Sequence, residues 1–99
     1  MKDVVIDQWG HEIYLTDERW RHILFRHPDM DGRREQVLLT LKNGGREENP
    51  IGSSKYIYSK KFKHLRPGKK RICVVVQFEM KKTGTSLLPN NFVVTAFQI

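Results

Sequence analysis

Cysteine is nearly absent from these 99 residues: Cys73 stands alone inside the run ICVVVQF. A single thiol rules out a disulfide within the chain, and its apolar neighbours point to a buried, inert side chain. Long apolar runs are missing too. No stretch approaches the roughly 18 consecutive apolar residues that a spanning helix needs. The start, MKDVVIDQWG, has no apolar core of the kind a secretory signal carries. Neither a membrane span nor a signal peptide is expected, and the composition suits a reducing, cytoplasmic setting.

Metal-binding patterns are also lacking. His11, His22, His27, His64 and Cys73 fall into no H-x-x-x-H, C-x-x-C or H-x-x-E-H arrangement. His22 and His27 are five apart, which puts them on different faces of a helix. KNGGRE has neither a strand before it nor a helix after it, so it reads as a helix stop rather than a phosphate loop. No metal and no cofactor are expected.

What the chain has in excess is positive charge. Eighteen Lys and Arg against eleven acids give +7, with a sequence pI near 9.8. A field of that sign gathers polyanions, and nucleic acid is the commonest such partner. Lys55, Lys60, Lys61, Lys63, His64, Arg66, Lys69, Lys70 and Arg71 cluster, interleaved with Tyr56, Tyr58 and Phe62. Cations neutralise phosphates and aromatic faces stack on unpaired bases, so this mixture suits single-stranded RNA.

The length fits one domain, 1–99. Residues 4–15 read as a hairpin turning at Trp9-Gly10, where glycine supplies a positive φ. Thr16 can cap a helix DERWRHILFR, with Asp17 and Glu18 at the positive end of its dipole. Trp20, Ile23, Leu24 and His27 form a buried stripe, Arg19, His22 and Arg26 the adjacent one, and Pro28 ends the helix. A second helix is expected from Gly32 to Asn43, capped by Asp31, with Val37, Leu38 and Leu41 inward and Gly44 as its stop. GREENPIG reads as a loop. SKYIYSKKF alternates, RICVVVQFEM and FVVTAFQI are apolar enough to be central strands, and HLRPGKK and KKTGTSLLPNN connect them. The expected fold is α+β: the hairpin and two helices packed on one face of a four- to five-stranded antiparallel sheet, the other face open to substrate.

RNA cleavage without a metal needs groups that take the 2′-hydroxyl proton, protonate the leaving 5′-oxygen and stabilise a phosphorane. His22 and His27 are candidates for proton transfer. His22 equally suits a solvated basic helix face, and His27 a helix C-terminal cap. Tyr58, Lys60 and Thr95 are the remaining candidate catalytic groups. Arg19, Arg26, Lys55, Tyr56, Lys61 and Gln77 are candidates for holding substrate. Gln77 in an apolar strand costs free energy unless it is bonded or solvated, so its face is expected to be the open one.

The order LTDERWRHILFRHPDM, YIYSK, ICVVVQF, FVVTAF resembles the phage-associated barnase–EndoU–colicin–RelE-like (BECR) nuclease domains. In that group the pieces read R-W-x-H-I, H-P-E/D, Y-Y-R/K, V-V-V-K and V-T-A-Y. The resemblance covers Leu15 to Phe97. It implies helices followed by an antiparallel sheet, and metal-independent RNA cleavage on the open sheet face, often by a toxin. His22 and His27 fall on the histidine positions, Tyr58 and Lys60 on the tyrosine and basic residue of the first long strand, and Thr95 on the threonine of the last. Gln77 replaces a common lysine and Phe97 a common tyrosine. Those two losses bear on catalysis, so an inactive RNA-binding module is the alternative, and a module docking an acidic antitoxin or immunity protein is another.

Overall fold

The structure is a computed structural model that describes all 99 residues. It is an α+β domain: strands β1 (Lys2–Ile6) and β2 (Glu12–Thr16), helix α1 (Asp17–Arg26), a 3-10 turn Pro28–Met30, and helix α2 (Arg34–Asn43). Strands β3 (Gly45–Glu48), β4 (Lys55–Lys61), β5 (Arg71–Gln77), β6 (Met80–Thr83), β7 (Ser86–Pro89) and β8 (Asn91–Gln98) follow. Six strands form one sheet in the order β1-β2-β8-β5-β4-β3, while β6 and β7 form a separate ribbon. No helix is long and apolar enough to cross a membrane.

The sheet corrects the expected four to five antiparallel strands. GREENPIG is not all loop: Gly45–Glu48 pairs antiparallel with β4 as an edge strand. KKTGTSLLPNN is mostly the β6–β7 ribbon. One pairing is parallel, β2 with β8, and it extends over only Ile13↔Asn91 and Tyr14↔Phe92. These short polar strands lack the apolar alternation that marks a half-buried strand.

The first helix forms where the sequence places it. Thr16 Oγ1 accepts from the Arg19 N–H at 3.0 Å, and His27 closes the helix before Pro28. Helix α2 starts at Arg34 rather than Gly32, and Asp31 does not cap it; Asp31 instead closes the preceding 3-10 turn, whose carbonyl at Pro28 takes its N–H. Gly44 ends α2 in extended rather than left-handed geometry. A Cβ there would lie 2.5 Å from the Thr40 carbonyl oxygen and 2.7 Å from that of Ser59, so close approach of helix to strand demands glycine.

Helices pack on one face only. Trp20, Ile23, Met30, Val37 and Leu41 meet Ile13, Leu15, Tyr58, Ile72, Val74, Val76, Val93 and Ala96 in one core. Each buried aliphatic side chain contributes about 1.5–3 kcal/mol. The sheet curls around this core until its two edges meet. Asp7, one residue past β1, lies 3.0 Å from Arg46 of β3, and the Gln8 amide donates to the carbonyls of Asn43 and Gly44. Arg34 reinforces the closure by bridging Asp3 at 2.9 Å and Asp17 at 2.8 Å.

Candidate functional site

Cross-strand register sorts the expected site residues onto two faces. Tyr58 pairs with Val74, which pairs with Ala96; Tyr56 pairs with Val76, and Lys60 with Ile72. Directly paired residues share a face, so Tyr56, Tyr58 and Lys60 lie on the inner, helix-covered side. Thr95, paired with Val75, and Gln77, paired with Lys55, lie on the outer side. The expected grouping of Tyr58 and Lys60 with Thr95 on one open face is therefore corrected. The alternation along β4 was sound, but the side it buries depends on which face the helices cover.

Tyr58 is fully buried in a polar knot at the closure of the sheet. Its hydroxyl donates to Asp7 Oδ2, and Arg46 Nη1 lies 3.1 Å from the same hydroxyl, 3.0 Å from Asp7 Oδ2 and 3.1 Å from His11 Nδ1. Asp7 Oδ1 accepts from the N–H groups of Trp9 at 2.9 Å and His11 at 2.8 Å. The Arg46 guanidinium sits 4.3 Å from the Trp9 ring centre and 4.6 Å from that of Tyr56. Burial pushes the Asp7 carboxyl up. The Tyr58 hydroxyl, the two backbone donors and the Arg46 charge outweigh that and hold it below the ordinary carboxylate range. Burial first, and the adjacent Asp7 second, push the Tyr58 hydroxyl above its usual value despite Arg46. Tyr58 and Tyr56 thus serve the sheet closure. Lys60 holds its ammonium 5.9 Å from the Phe62 ring.

The gap between β2 and β8 holds a different constellation. Beyond Tyr14 and Phe92, β2 and β8 part, because β2 turns directly into α1. A cleft of about 370 Å³ opens there, lined by Tyr14, Thr16, Glu18, Arg19, His22, Phe92 and Val93. Glu18 and His22, four apart on α1, are surface neighbours with Cβ atoms about 6 Å apart, and Arg19 lies beside both. Arg19 Nη1 donates to the Val94 carbonyl at 3.4 Å. The Tyr14 hydroxyl donates to Asn90 Oδ1 at 3.0 Å, holding a ring 6.1 Å from that of Phe92. Carboxylate, imidazole, guanidinium and two aromatic rings converge on one opening.

Of the expected residues, the cleft brings together Arg19 and His22. His27 sits at the far end of α1, its ring 5.8 Å from that of Phe97, and Arg26 is exposed on the last turn. Lys55 and Lys61 are exposed on β4. Gln77 donates Nε2 to the carbonyls of Phe78 at 3.1 Å and Ser54 at 3.4 Å, which is how its strand position is tolerated. Glu18, Tyr14 and Phe92 escaped sequence reasoning. Glu18 carries a signal in its i, i+4 relation to His22, hidden behind its ordinary place at the positive end of the helix dipole. Tyr14 and Phe92 carried none, being 78 positions apart. No group of three or more His, Cys, Asp or Glu side chains is placed to hold a metal ion. Comparison with protein-family models, curated proteins and solved structures gave no match.

Proposed function

We propose that this protein is an endoribonuclease whose proton transfers are carried by its own side chains in the cleft between β2, β8 and α1. The convergence of Glu18, Arg19 and His22 on one opening is the observation that supports this reading. The Glu18 carboxylate takes the proton of an RNA 2′-hydroxyl as its oxygen attacks the adjacent phosphorus. The Arg19 guanidinium stabilises the equatorial oxygens of the phosphorane. The His22 imidazolium donates its proton to the departing 5′-oxygen, leaving a 2′,3′-cyclic phosphate and a 5′-hydroxyl. Neutral imidazole and carboxylic acid then exchange protons with water. The net charge of +7 draws the RNA in.

This reading moves the chemistry from Tyr58 and Lys60 to Glu18 and Arg19, and keeps His22. It extends to the fold: two helices ahead of the β3, β4, β5 and β8 strands of the curled sheet suit the BECR nucleases that the sequence motifs resemble, acting as toxins on cytoplasmic RNA. The test is incubation with total RNA in excess EDTA, with the new ends mapped. Discrete cuts bearing cyclic phosphate, lost in Glu18→Gln and His22→Gln, support it. Intact RNA at protein concentrations that saturate binding removes it. A second reading, docking of an acidic antitoxin or immunity protein, is favoured by the β6–β7 ribbon. All of its residues are exposed, including Met80, Leu87 and Leu88 beside Lys81 and Lys82.

A further inference from the structure

The register of four strands places Tyr14, Phe92, Gln77 and Lys55 in one continuous row across the outer face. Tyr14 pairs with Phe92 across β2 and β8, Phe92 with Gln77 across β8 and β5, and Gln77 with Lys55 across β5 and β4. At about 4.8 Å between strands the row is roughly 14 Å long, enough for two to three nucleotides of an extended single strand. Its first two members belong to the cleft and its last is a free ammonium.

A β-bulge builds this row. Val75 pairs with Thr95 but Val76 pairs with Val93, so Val94 is an extra residue. Gln98 and Ala96 are buried on the inner face, and so are Val93 and Asn91. The parity of β8 therefore switches at Val94. Without the extra residue Phe92 would join Ala96 and Gln98 on the inner side. With it, Phe92 faces outward beside Gln77, and it is the carbonyl of Val94 itself that takes the Arg19 guanidinium. One inserted residue thus aims both the aromatic floor and the phosphate-binding cation of the cleft.

Gln77 has a fixed orientation. Its two amide hydrogens go to the carbonyls of Phe78 and Ser54. Its Oε1 takes no hydrogen bond from the protein and is not buried. Reversing the amide would set that oxygen against two carbonyls, so the row presents an acceptor beside the aromatic pair. We infer that Tyr14, Phe92, Gln77 and Lys55 form a base-selecting subsite for single-stranded RNA. Tyr14 and Phe92 stack one base and Gln77 Oε1 accepts from the exocyclic amino group of the next. Lys55 holds the following phosphate. Adenine, cytosine and guanine carry such an amino group, and uracil does not. The inference rests on the cleft being the RNA site and adds its specificity.

Binding separates the two. Fluorescence anisotropy of the full chain with 2′-O-methyl tetranucleotides, which cannot be cleaved by 2′-hydroxyl attack, reads binding without cleavage. Expected are weaker binding of the all-uracil tetramer than of the adenine and cytosine tetramers, and loss of that difference in Gln77→Leu. Phe92→Ala weakens all tetramers about ten- to a hundredfold. Lys55→Ala, an exposed substitution, lowers the slope of log affinity against log salt by about one. Equal affinity for all four homotetramers, or discrimination unchanged in Gln77→Leu, overturns the base-selecting row. Cleavage of natural RNA is measured in parallel. Base-dependent binding without any cleavage removes the nuclease reading and leaves the row standing.

Discussion

Replacing Asp7 by Asn tests whether charge, rather than shape, closes the sheet. The side chain is fully inaccessible and its four hydrogen bonds come from the Trp9 and His11 amides, the Tyr58 hydroxyl and Arg46. Asn keeps an acceptor for the two amides but turns an NH2 toward Arg46, donor against donor. It also leaves a guanidinium, itself 14% exposed, without its counter-charge. Removing one partner of a buried pair costs about 3–5 kcal/mol. The aromatic rings around Arg46 continue to stabilise the cation, which sets the expectation at the lower end, about 3 kcal/mol. That is a large share of the 5–15 kcal/mol typical of a domain and lowers Tm by about 12–24 °C. Urea unfolding followed by tryptophan emission reads it. The folded carboxyl titrates below its usual 3.8, so the stability it adds is complete above that value. It is lost as pH falls through the folded pKa. The gap between wild type and variant should therefore hold from pH 7 to about 4 and close below. A cost under about 1 kcal/mol at pH 7, or a gap that does not shrink as the pH falls below 3.8, refutes a charge-based closure.

Three further tests probe the rest of the molecule. Gly44→Ala meets two backbone oxygens that cannot swing away, so thermal unfolding should show a loss of at least about 1–3 kcal/mol; an unchanged Tm contradicts the close approach. Lys60→Ala and Tyr58→Phe, on the inner face, should keep RNA cleavage within a few-fold, while Arg19→Ala should lower it about a hundredfold or more. Equal losses in all three return the chemistry to the inner face. Burial pushes the Cys73 thiol up, with Arg71 opposing, so a disulfide reagent at pH 8 should label native protein far more slowly than urea-unfolded protein. Equal rates would place the thiol at the surface.

The helices and the central strands were legible because their signals are local. The Thr16 cap, the Trp20–Ile23–Leu24 stripe and the Pro28 stop each act within one or two turns, and RICVVVQ and FVVTAFQ carry enough apolar β-branched residues to be strands in any context. The edge strand Gly45–Glu48 was not legible, because GREE is polar and is held by its pairing with Tyr56–Ser59. The ribbon Met80–Pro89 buries nothing, so no alternation marks it. The site was half legible. His22 and Arg19 belong to one helix face and could be read together. Tyr58 and Lys60 were assigned to the substrate side because their alternation is symmetric: a strand shows two faces, and only the placement of α2 against β4 and β5 decides which is covered. Asp7 and Arg46, 39 positions apart, meet only once the sheet has curled.

Closure and cleft are two consequences of the same curvature. A sheet that wraps around α2 until Asp7 reaches Arg46 commits its inner face to the core, which leaves the outer face uncovered by helices. The N-terminal hairpin is drawn to the opposite edge by that knot and to α2 by Arg34, while β2 must also lead into α1 at Asp17. It can therefore follow β8 for only the two pairs at Ile13 and Tyr14 before departing. The carbonyls of β8 beyond that point would face solvent unpaired, a cost that Arg19 offsets at Val94. The cation that satisfies the abandoned strand edge is thereby fixed at the mouth of the opening the departure creates, beside Glu18 and His22 on the helix that replaced the strand.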